Sequence, residues 1–571
     1  MTPLIYSSYS DPFDFYSDPF DSSQPTLGSY RFTKMTKILT ALIFTVYSFQ
    51  AVAAESPNIL IIVADDLGYS DIGAFGGEID TPNLDSLVAS GMQMTTFYSG
   101  SSCAPTRSML MSGTDHHLAG VGVQGRRIPG NSGYENALNH RVVSLATILK
   151  DNDYHTYMTG KWHLGSEPDR IPAARGFEKS FTLMEGGASH FEDGLGLTSE
   201  QATYMDDVNK VDALPEGFFS SEFYTDRMID YIENSSGDGK PFFGYLAYTA
   251  PHWPLQAPDT WLEKYAGKYD AGWDVLREQR KQRQIKLGFY SDESKVADRP
   301  TYIPAWEDLS DIEKQVEAKR METYAAMVDN LDFHIGRLME YLRDSDELEN
   351  TFILFFADNG AEGNNMGVMG NNPVWLPARF DNRLANMGKI DSYVWQGQGW
   401  AHVSALPYRM YKTYTSEGGI HVPAFFSWPG HIPQGAVNDH PVTVMDVLPT
   451  VLDVAGIAPV GNEYAGRDVL EPLGSSLVPV LTDNRVLDRQ EFAWESYGNR
   501  GYRIGNWKLV WLWPPYGPGR WELFDLSVDP GETNDLSEQN PELVNTMSAA
   551  WDQWARDLAV EVWDRDIGYG R

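Results

Sequence analysis

Asn58-Ile-Leu-Ile-Ile-Val-Ala64 runs straight into Asp65-Asp66, and this stretch decides the fold. An unbroken apolar run of this length reads as a strand buried on both faces, as in a parallel sheet; a half-wet strand would alternate. The pattern returns twice. Pro241-Phe-Phe-Gly-Tyr-Leu-Ala-Tyr-Thr249 ends in Ala250-Pro251-His252, and Thr351-Phe-Ile-Leu-Phe-Phe-Ala357 ends in Asp358-Asn359-Gly360. Helical patterns lie between: residues 83–90, residues 141–152 with Val142, Leu145, Ile148 and Leu149 on one face, and residues 313–343. Strands alternating with helices predict an α/β, doubly wound sheet. In such sheets the polar residues at the carboxyl ends of strands line the ligand crevice. An aspartate after a strand is by itself only a turn former. Here, however, three strands each end in carboxylate, imidazole or amide groups. Carboxylate and amide oxygens suit a hard cation, calcium or magnesium. Without a metal, carboxylates set close together raise one another's pKa.

At 571 residues the chain is too long for one core, which predicts two domains. A hydrophobic share of 42% is enough for a packed globular protein. The net charge of -35 argues against nucleic acid and against an anionic membrane surface as partners. An anionic substrate must therefore be drawn by a local cluster of cations. A single cysteine, Cys103, excludes an intramolecular disulfide and a cysteine-based zinc site.

Tyr9-Ser-Asp-Pro-Phe-Asp14 recurs as Tyr16-Ser-Asp-Pro-Phe-Asp21, a short proline-broken repeat that predicts disorder over residues 1–34. Met35-Thr36-Lys37, the apolar run over 38–49 and Ala51-Val52-Ala53 form the parts of a secretory signal peptide over 35–54. The apolar run is short for a membrane span, an uncleaved anchor being the alternative. Signals lie at the extreme N-terminus, so translation is expected to begin at Met35, with 1–34 a mis-called extension. A periplasmic or secreted protein with no stable membrane anchor is expected.

Ser102-Cys103-Ala104-Pro105-Thr106-Arg107 opens a short helix, with Pro105 near its start and Gly113 past its end. The free N–H groups there favour an anion and are expected to depress the thiol pKa. Arg107 returns to the same face one turn deeper. Taken alone, Cys103 is a small buried residue before an ordinary helix.

Cys103-Ala-Pro-Thr-Arg-Ser-Met-Leu-Met-Ser-Gly113 resembles the signature of type I sulfatases, and the resemblance runs from about Asn58 to about Ala559, nearest to bacterial arylsulfatases. It implies an alkaline-phosphatase-like, doubly wound mixed sheet with a small C-terminal α+β subdomain. It also implies that a maturation enzyme oxidises Cys103 to formylglycine, whose hydrate is the nucleophile. A divalent cation, calcium in the bacterial arylsulfatases rather than magnesium, is implied on Asp65, Asp66, Asp358, Asn359 and position 103. Gly160-Lys161-Trp162-His163-Leu164-Gly165 resembles the family's second signature, and Pro251-His252 and Lys412 match further site residues. The resemblance implies that Lys161 and His163 hold the formylglycine hydroxyls, that His163 helps collapse the hemiacetal, and that Arg107 holds and activates the hydrate; His252, with Lys412 next, is the expected acid for the leaving oxygen. His421 departs from the arginine that relatives often carry, which bears on specificity.

Residues 261–307 read as a surface excursion, and 363–399 as a loop bordering the substrate mouth. Trp375, Phe380, Tyr393, Trp395 and Trp400 there pack against a planar leaving group or, alternatively, into the core. Residues 502–513 read as one strand, 521–526 as its return, and Pro541 as the start of a covering helix with Val544, Met547, Trp551 and Trp554 on one face. The expected division is a catalytic domain over 55–484 and a C-terminal subdomain over 485–571. The expected function is hydrolysis of small sulfate monoesters. The alternatives are a phosphate or phosphonate ester hydrolase of the same fold and a non-catalytic exported binding protein.

Overall fold

Strand β1 (Asn58–Ala64) spans the residues that the apolar run predicted, and every one of them is buried. The structure is a computed structural model that describes residues 56–563 except 371, 484 and 490. The expected repeat and signal peptide lie outside the described residues. Around β1 stand β2 (Met92–Tyr98), β3 (His155–Lys161), β4 (Lys179–Leu183), β5 (Tyr204–Asp206), β6 (Asn209–Lys210), β7 (Phe242–Ala247), β8 (Thr351–Ala357), β9 (His421–Ser427), β10 (Ala436–Asn438) and β11 (Val442–Thr443). Their order is β10-β2-β9-β8-β1-β7-β3-β4-β5-β6, with β11 beside β2. β8, β1, β7, β3 and β4 are parallel neighbours. β9 runs antiparallel to both β8 and β2. The carboxyl ends of β2, β8, β1, β7 and β3 thus open on one edge, and the amino end of β9 opens there too.

Pairing in register sets Ile62 between Leu246 and Phe355, so the central strands share one dry layer. Full burial of one such side chain contributes about 1.5–3 kcal/mol relative to exposure. Helices close both faces of the layer, as the alternation required. The longest, Asp311–Asp344, begins two residues before the pattern read over 313–343 and is capped by Ser310 through a reciprocal capping box to Glu313.

Two expectations are corrected by packing. Residues 261–307 are not a mere surface excursion: in the helix Gly272–Leu287, Trp273, Leu276, Arg280 and Gln284 are buried. Arg280 reaches Asp71 at 2.5 Å and Glu78 at 2.7 Å, which neutralises a guanidinium taken out of water. Beyond a short hairpin of β12 (Glu463–Tyr464) and β13 (Arg467–Asp468), the C-terminal sheet has four antiparallel strands, β14 (Glu491–Ser496), β15 (Asn499–Ile504), β16 (Trp507–Trp511) and β17 (Trp521–Asp525). The single strand expected over 502–513 is two, because Gly505-Asn506 turns the chain between them, with Gly505 at φ +55°. The helix Pro541–Asp557 covers this sheet with Met547 and Trp551, and Trp551 Nε1 donates to the Trp494 carbonyl at 3.0 Å.

Candidate active site

Each strand of the common edge delivers its polar groups where it ends. β1 delivers Asp65 and Asp66, β8 delivers Asp358 and Asn359, β3 delivers Lys161, and the turn after β7 delivers His252. All six are essentially excluded from solvent. β2 leads into the helix Cys103–Ser112, which starts at Cys103 and ends at Gly113 in a left-handed conformation. Ser102, the residue before the helix, does not cap it; Gln124 Oε1 does, accepting from Ala104 N at 3.0 Å. Lys412 arrives by the opposite route. It lies in the loop before β9, and only an antiparallel β9 brings that loop to the same edge.

Several backbones are bent to aim these groups. Gly160 has φ +100°, and a Cβ there would stand 1.8 Å from the Ala247 carbonyl oxygen, so only glycine lets β3 present Lys161 this way. Asp66 (φ +67°), His163 (φ +57°) and Thr413 (φ +82°) are left-handed without being glycine. Such conformations gather at sites where the surroundings over-determine them.

The side chains form one alternating charge network. Cys103 Sγ is 3.3 Å from Asp65 Oδ1 and 3.9 Å from Asp66 Oδ1. Arg107 donates to Asp358 Oδ2 from Nε at 2.9 Å and Nη2 at 2.7 Å, and Nη1 donates to the Lys161 carbonyl at 2.9 Å. Lys161 Nζ binds Asp65 Oδ2 at 2.5 Å. Lys412 Nζ binds Asp66 Oδ1 at 2.8 Å, and His252 Nε2 is 3.6 Å from Asp66 Oδ2. His252 Nδ1 faces the Trp253 carbonyl at 2.5 Å. A carbonyl only accepts, so Nδ1 carries the proton and Nε2 is the lone-pair nitrogen of a neutral ring. Burial, then Lys412 and Lys161, push the His252 imidazole well below its ordinary range. Burial, then Lys161, Arg107 and Lys412, do the same to His163, whose Nδ1 has no hydrogen-bond partner among the described residues. The expected depression of the Cys103 thiol is not what the structure gives. Burial, then the Asp358 and Asp65 carboxylates, push it up, against the opposing pull of Lys161 and Lys412.

These residues fit a divalent cation. One ligand atom each from Asp65, Asp66, Cys103 and His252 lies within 4.8 Å of the others. Burial, then Asp358, pushes the Asp65 carboxyl up to about 7, the frustration a cation relieves. Asn359 Oδ1 is a buried acceptor with no hydrogen-bond partner among the described residues, beside its own Nδ2 on Asp66 Oδ1 at 2.7 Å.

Residues 57–457 match the sulfatase family model, and residues 408–556 match the model of the C-terminal part of N-sulphoglucosamine sulphohydrolase. The chain belongs to the sulfatase family. It is an enzyme of sulfate ester hydrolysis. An uncharacterized sulfatase of Schizosaccharomyces pombe is 40% identical over 519 residues, covering 87% of this chain and 93% of that protein. The arylsulfatase of Klebsiella aerogenes is 39% identical over 432 residues, covering 75% of this chain and 92% of that protein. Among solved structures, Ps i-CgsB has a TM-score of 0.64 at 25% identity, covering 89% of this chain and 94% of that one. The PsFucS1 sulfatase from Pseudoalteromonas sp. has a TM-score of 0.58 at 20% identity, covering 90% and 92%, and shares the fold. The expected alkaline-phosphatase-like mixed sheet and C-terminal antiparallel subdomain are thus those of this sulfatase.

The sulfatase also carries site features that no motif announced. Glu362, two residues past Gly360, is buried with its Oε2 3.3 Å from Lys412 Nζ. The C-terminal sheet packs Val510, Leu512 and Phe524 against Met410, Tyr411 and Tyr414, so it carries the Lys412 loop. The 363–399 segment is not one open loop: it holds the helix Asn372–Arg379, and Trp375, Phe380 and Tyr393 pack on one another and, through Tyr393, on Trp253 beside His252. Trp400 is core instead, edge-on to Trp273 and Trp306. His421 is buried with Nδ1 on Glu417 Oε2 at 3.0 Å and Nε2 on the Thr95 carbonyl at 2.6 Å, behind the site rather than in it.

Proposed function

We infer that this sulfatase is an exported, arylsulfatase-like hydrolase whose nucleophile is a formylglycine made from Cys103 and whose site holds one calcium ion. One observation carries the reading: Cys103 Sγ stands at a helix start, 3.3 Å from Asp65, with Arg107 one turn deeper on Asp358. Sγ occupies the place of the formylglycine oxygen. Formed at position 103 and hydrated, formylglycine would supply a geminal diol as the nucleophile toward sulfur. When bound by Asp65, Asp66, Asp358, Asn359 and position 103, the cation supplies charge neutralisation at the sulfate oxygens.

The chain's own residues do the rest. Arg107 orients Asp358 and, through the Lys161 carbonyl, the end of β3. Lys161 and Lys412 neutralise charge on the sulfate oxygens, an electrostatic contribution fixed before the substrate arrives. His163, a neutral imidazole with an open Nδ1, accepts a proton from position 103. Lys412 gives a proton to the leaving oxygen. This reverses the order expected from the sequence, because the one proton of His252 is spent on the Trp253 carbonyl. Signal-peptide export and cleavage near Ala54 belong to the same proposal, as do a formylglycine-generating partner and the domain division at 484/485.

The test is the mass of the peptide containing Cys103 from active protein, together with the turnover of Cys103→Ala. An aldehyde mass and an inactive, folded alanine variant are expected. Cysteine to alanine removes one buried atom and costs about 1 kcal/mol. An unmodified thiol in active protein would overturn the mechanism.

A further inference from the structure

We propose that Glu362 is the positioning residue of Lys412: it holds the ammonium on the leaving oxygen, so that its loss selectively slows the cleavage of poor leaving groups. The inference rests on the proton-donor role given to Lys412 above.

Lys412 is completely buried, and Glu362 is 3% exposed. Two buried charges in contact need each other, and each needs further hydrogen bonds. Glu362 has them on one side only. Its Oε1 accepts from Asn364 N at 2.7 Å and Asn364 Nδ2 at 2.6 Å. Its Oε2 makes no hydrogen bond among the described residues and faces Lys412 Nζ at 3.3 Å. The asymmetry clamps one oxygen and leaves the other for the ammonium. The backbones are locked as well: Lys412 N donates to the Ala361 carbonyl at 3.0 Å, and Thr413 N donates to the Ser101 carbonyl at 2.6 Å. The segment of the ammonium is therefore tied by one backbone hydrogen bond to the segment of the carboxylate and by another to the residues before Cys103.

The second partner of Lys412 is Asp66, at 2.8 Å. Asp66 also faces Cys103 and His252, so Lys412 Nζ is set beside the reacting position. But Asp66 is a proposed cation ligand, and its oxygens are committed there. Glu362 has no such second duty. It is the counter-charge that stays with Lys412 through the reaction.

The step it serves balances simply. As the sulfur–oxygen ester bond breaks, its electron pair goes to the leaving oxygen. That oxygen takes one proton from Lys412 Nζ, and the resulting amine regains a proton from water. A phenoxide that leaves well needs the proton little, and one that leaves badly needs it most.

The experiment is a comparison of 4-nitrophenyl sulfate and phenyl sulfate in wild type, Glu362→Gln, Glu362→Asp, Lys412→Ala and the double variant Glu362→Gln/Lys412→Ala. Glu362→Gln is expected to lower kcat on phenyl sulfate about tenfold or more, and on 4-nitrophenyl sulfate by less than about threefold, with KM little changed. Glu362→Asp recovers part of the loss. In the Lys412→Ala background Glu362→Gln adds nothing, the non-additivity expected of coupled residues. Metal content by elemental analysis and the unfolding midpoint stay at wild-type values in Glu362→Gln. Equal losses on both esters, or effects that add in the double variant, overturn the assignment of Glu362. So does a loss of metal or of folded protein that Glu362→Asp fails to restore. If Lys412→Ala itself shows no leaving-group bias, the role of Lys412 fails first and takes this inference with it. A bias in Lys412→Ala that is absent from Glu362→Gln overturns Glu362 alone.

Discussion

Arg107 holds a single oxygen of Asp358 twice, through Nε at 2.9 Å and Nη2 at 2.7 Å, with both side chains out of water. Breaking a buried pair from one side leaves the other charge uncompensated, at a cost of about 3–5 kcal/mol. Arg107→Met is therefore expected to lower the urea midpoint of unfolding by that order and to abolish turnover. Arg107→Lys keeps the charge but loses the second bond, and is expected to recover stability more than activity. An Arg107→Met variant as stable as wild type would mean that a bound cation, not Arg107, holds Asp358.

Cation removal should be felt in both stability and rate. Asp65, Asp66 and Asp358 meet within one buried cluster, and a ligand that binds only the folded state stabilises it by mass action. At a free concentration a hundredfold above Kd this contributes about 2.7 kcal/mol. Chelation is expected to lower the unfolding midpoint and remove activity, and added calcium to restore both. Asp358→Ala is expected to abolish the calcium response. Full activity in protein shown by elemental analysis to be metal-free would refute the cation site.

Sequence reading reached what local patterns encode. The strands ending at Ala64 and Ala357 were legible because both are dry on two faces, and an unbroken apolar run has no other economical explanation. The carboxylates that follow them were legible for the same reason. Lys412 was reached only through family resemblance, since its place depends on β9 running antiparallel, whereas the strand before His252 marked its place and the resemblance supplied only its role. Glu362 gave no signal at all: a glutamate in a glycine-rich loop looks solvated until Lys412, fifty residues on, is placed against it. The split of 502–513 was present in Gly505-Asn506, a turn signal overridden by the apolar residues on either side.

A second buried charge cluster predicts pH dependence away from the site. His117 Nδ1 meets Asp115 at 2.8 Å, and Nε2 meets Glu495, from the C-terminal sheet, at 3.1 Å. His116 and Tyr134 flank it, and the Trp554 ring is edge-on to it. Burial opposes the charge on His117, but Asp115 and Glu495 outweigh it and hold the imidazolium up to about 9. A group raised in the folded state gives stability that is complete below its unfolded value, near 6.5, and lost as pH rises through about 9. The urea midpoint is expected to fall over that window, by an amount on the order of a few kcal/mol. His117→Gln should flatten the slope there while leaving the turnover of the remaining folded enzyme intact. An unchanged slope in His117→Gln would remove the cluster from the explanation.

The last prediction concerns the charge of the ester. Arg107, Lys161 and Lys412 are the fixed cations of the site, and each is already paired with a buried carboxylate. What remains for the substrate is the charge of the proposed divalent ion and the hydrogen-bonding capacity of the ammonium groups. A sulfate monoester brings one negative charge. A phosphate monoester near neutral pH brings two, and its extra charge calls for a second metal or another unpaired cation. Besides the site cluster, the metal-compatible group among the described residues is Asp115, His116 and His117, and His117 is already spent on Asp115 and Glu495 while His116 Nδ1 meets the Val121 carbonyl. A second ion beside the first therefore has no ligand set there. The enzyme is expected to hydrolyse 4-nitrophenyl sulfate with a kcat/KM at least about a hundredfold above that for 4-nitrophenyl phosphate, the order by which one fixed charge contact changes a rate. Magnesium or zinc added with the phosphate ester should not close the gap. If phosphate or phosphonate esters turn over faster than the matched sulfate, the site stabilises more charge than its paired cations allow. Its preferred reaction is then phosphoryl rather than sulfuryl transfer.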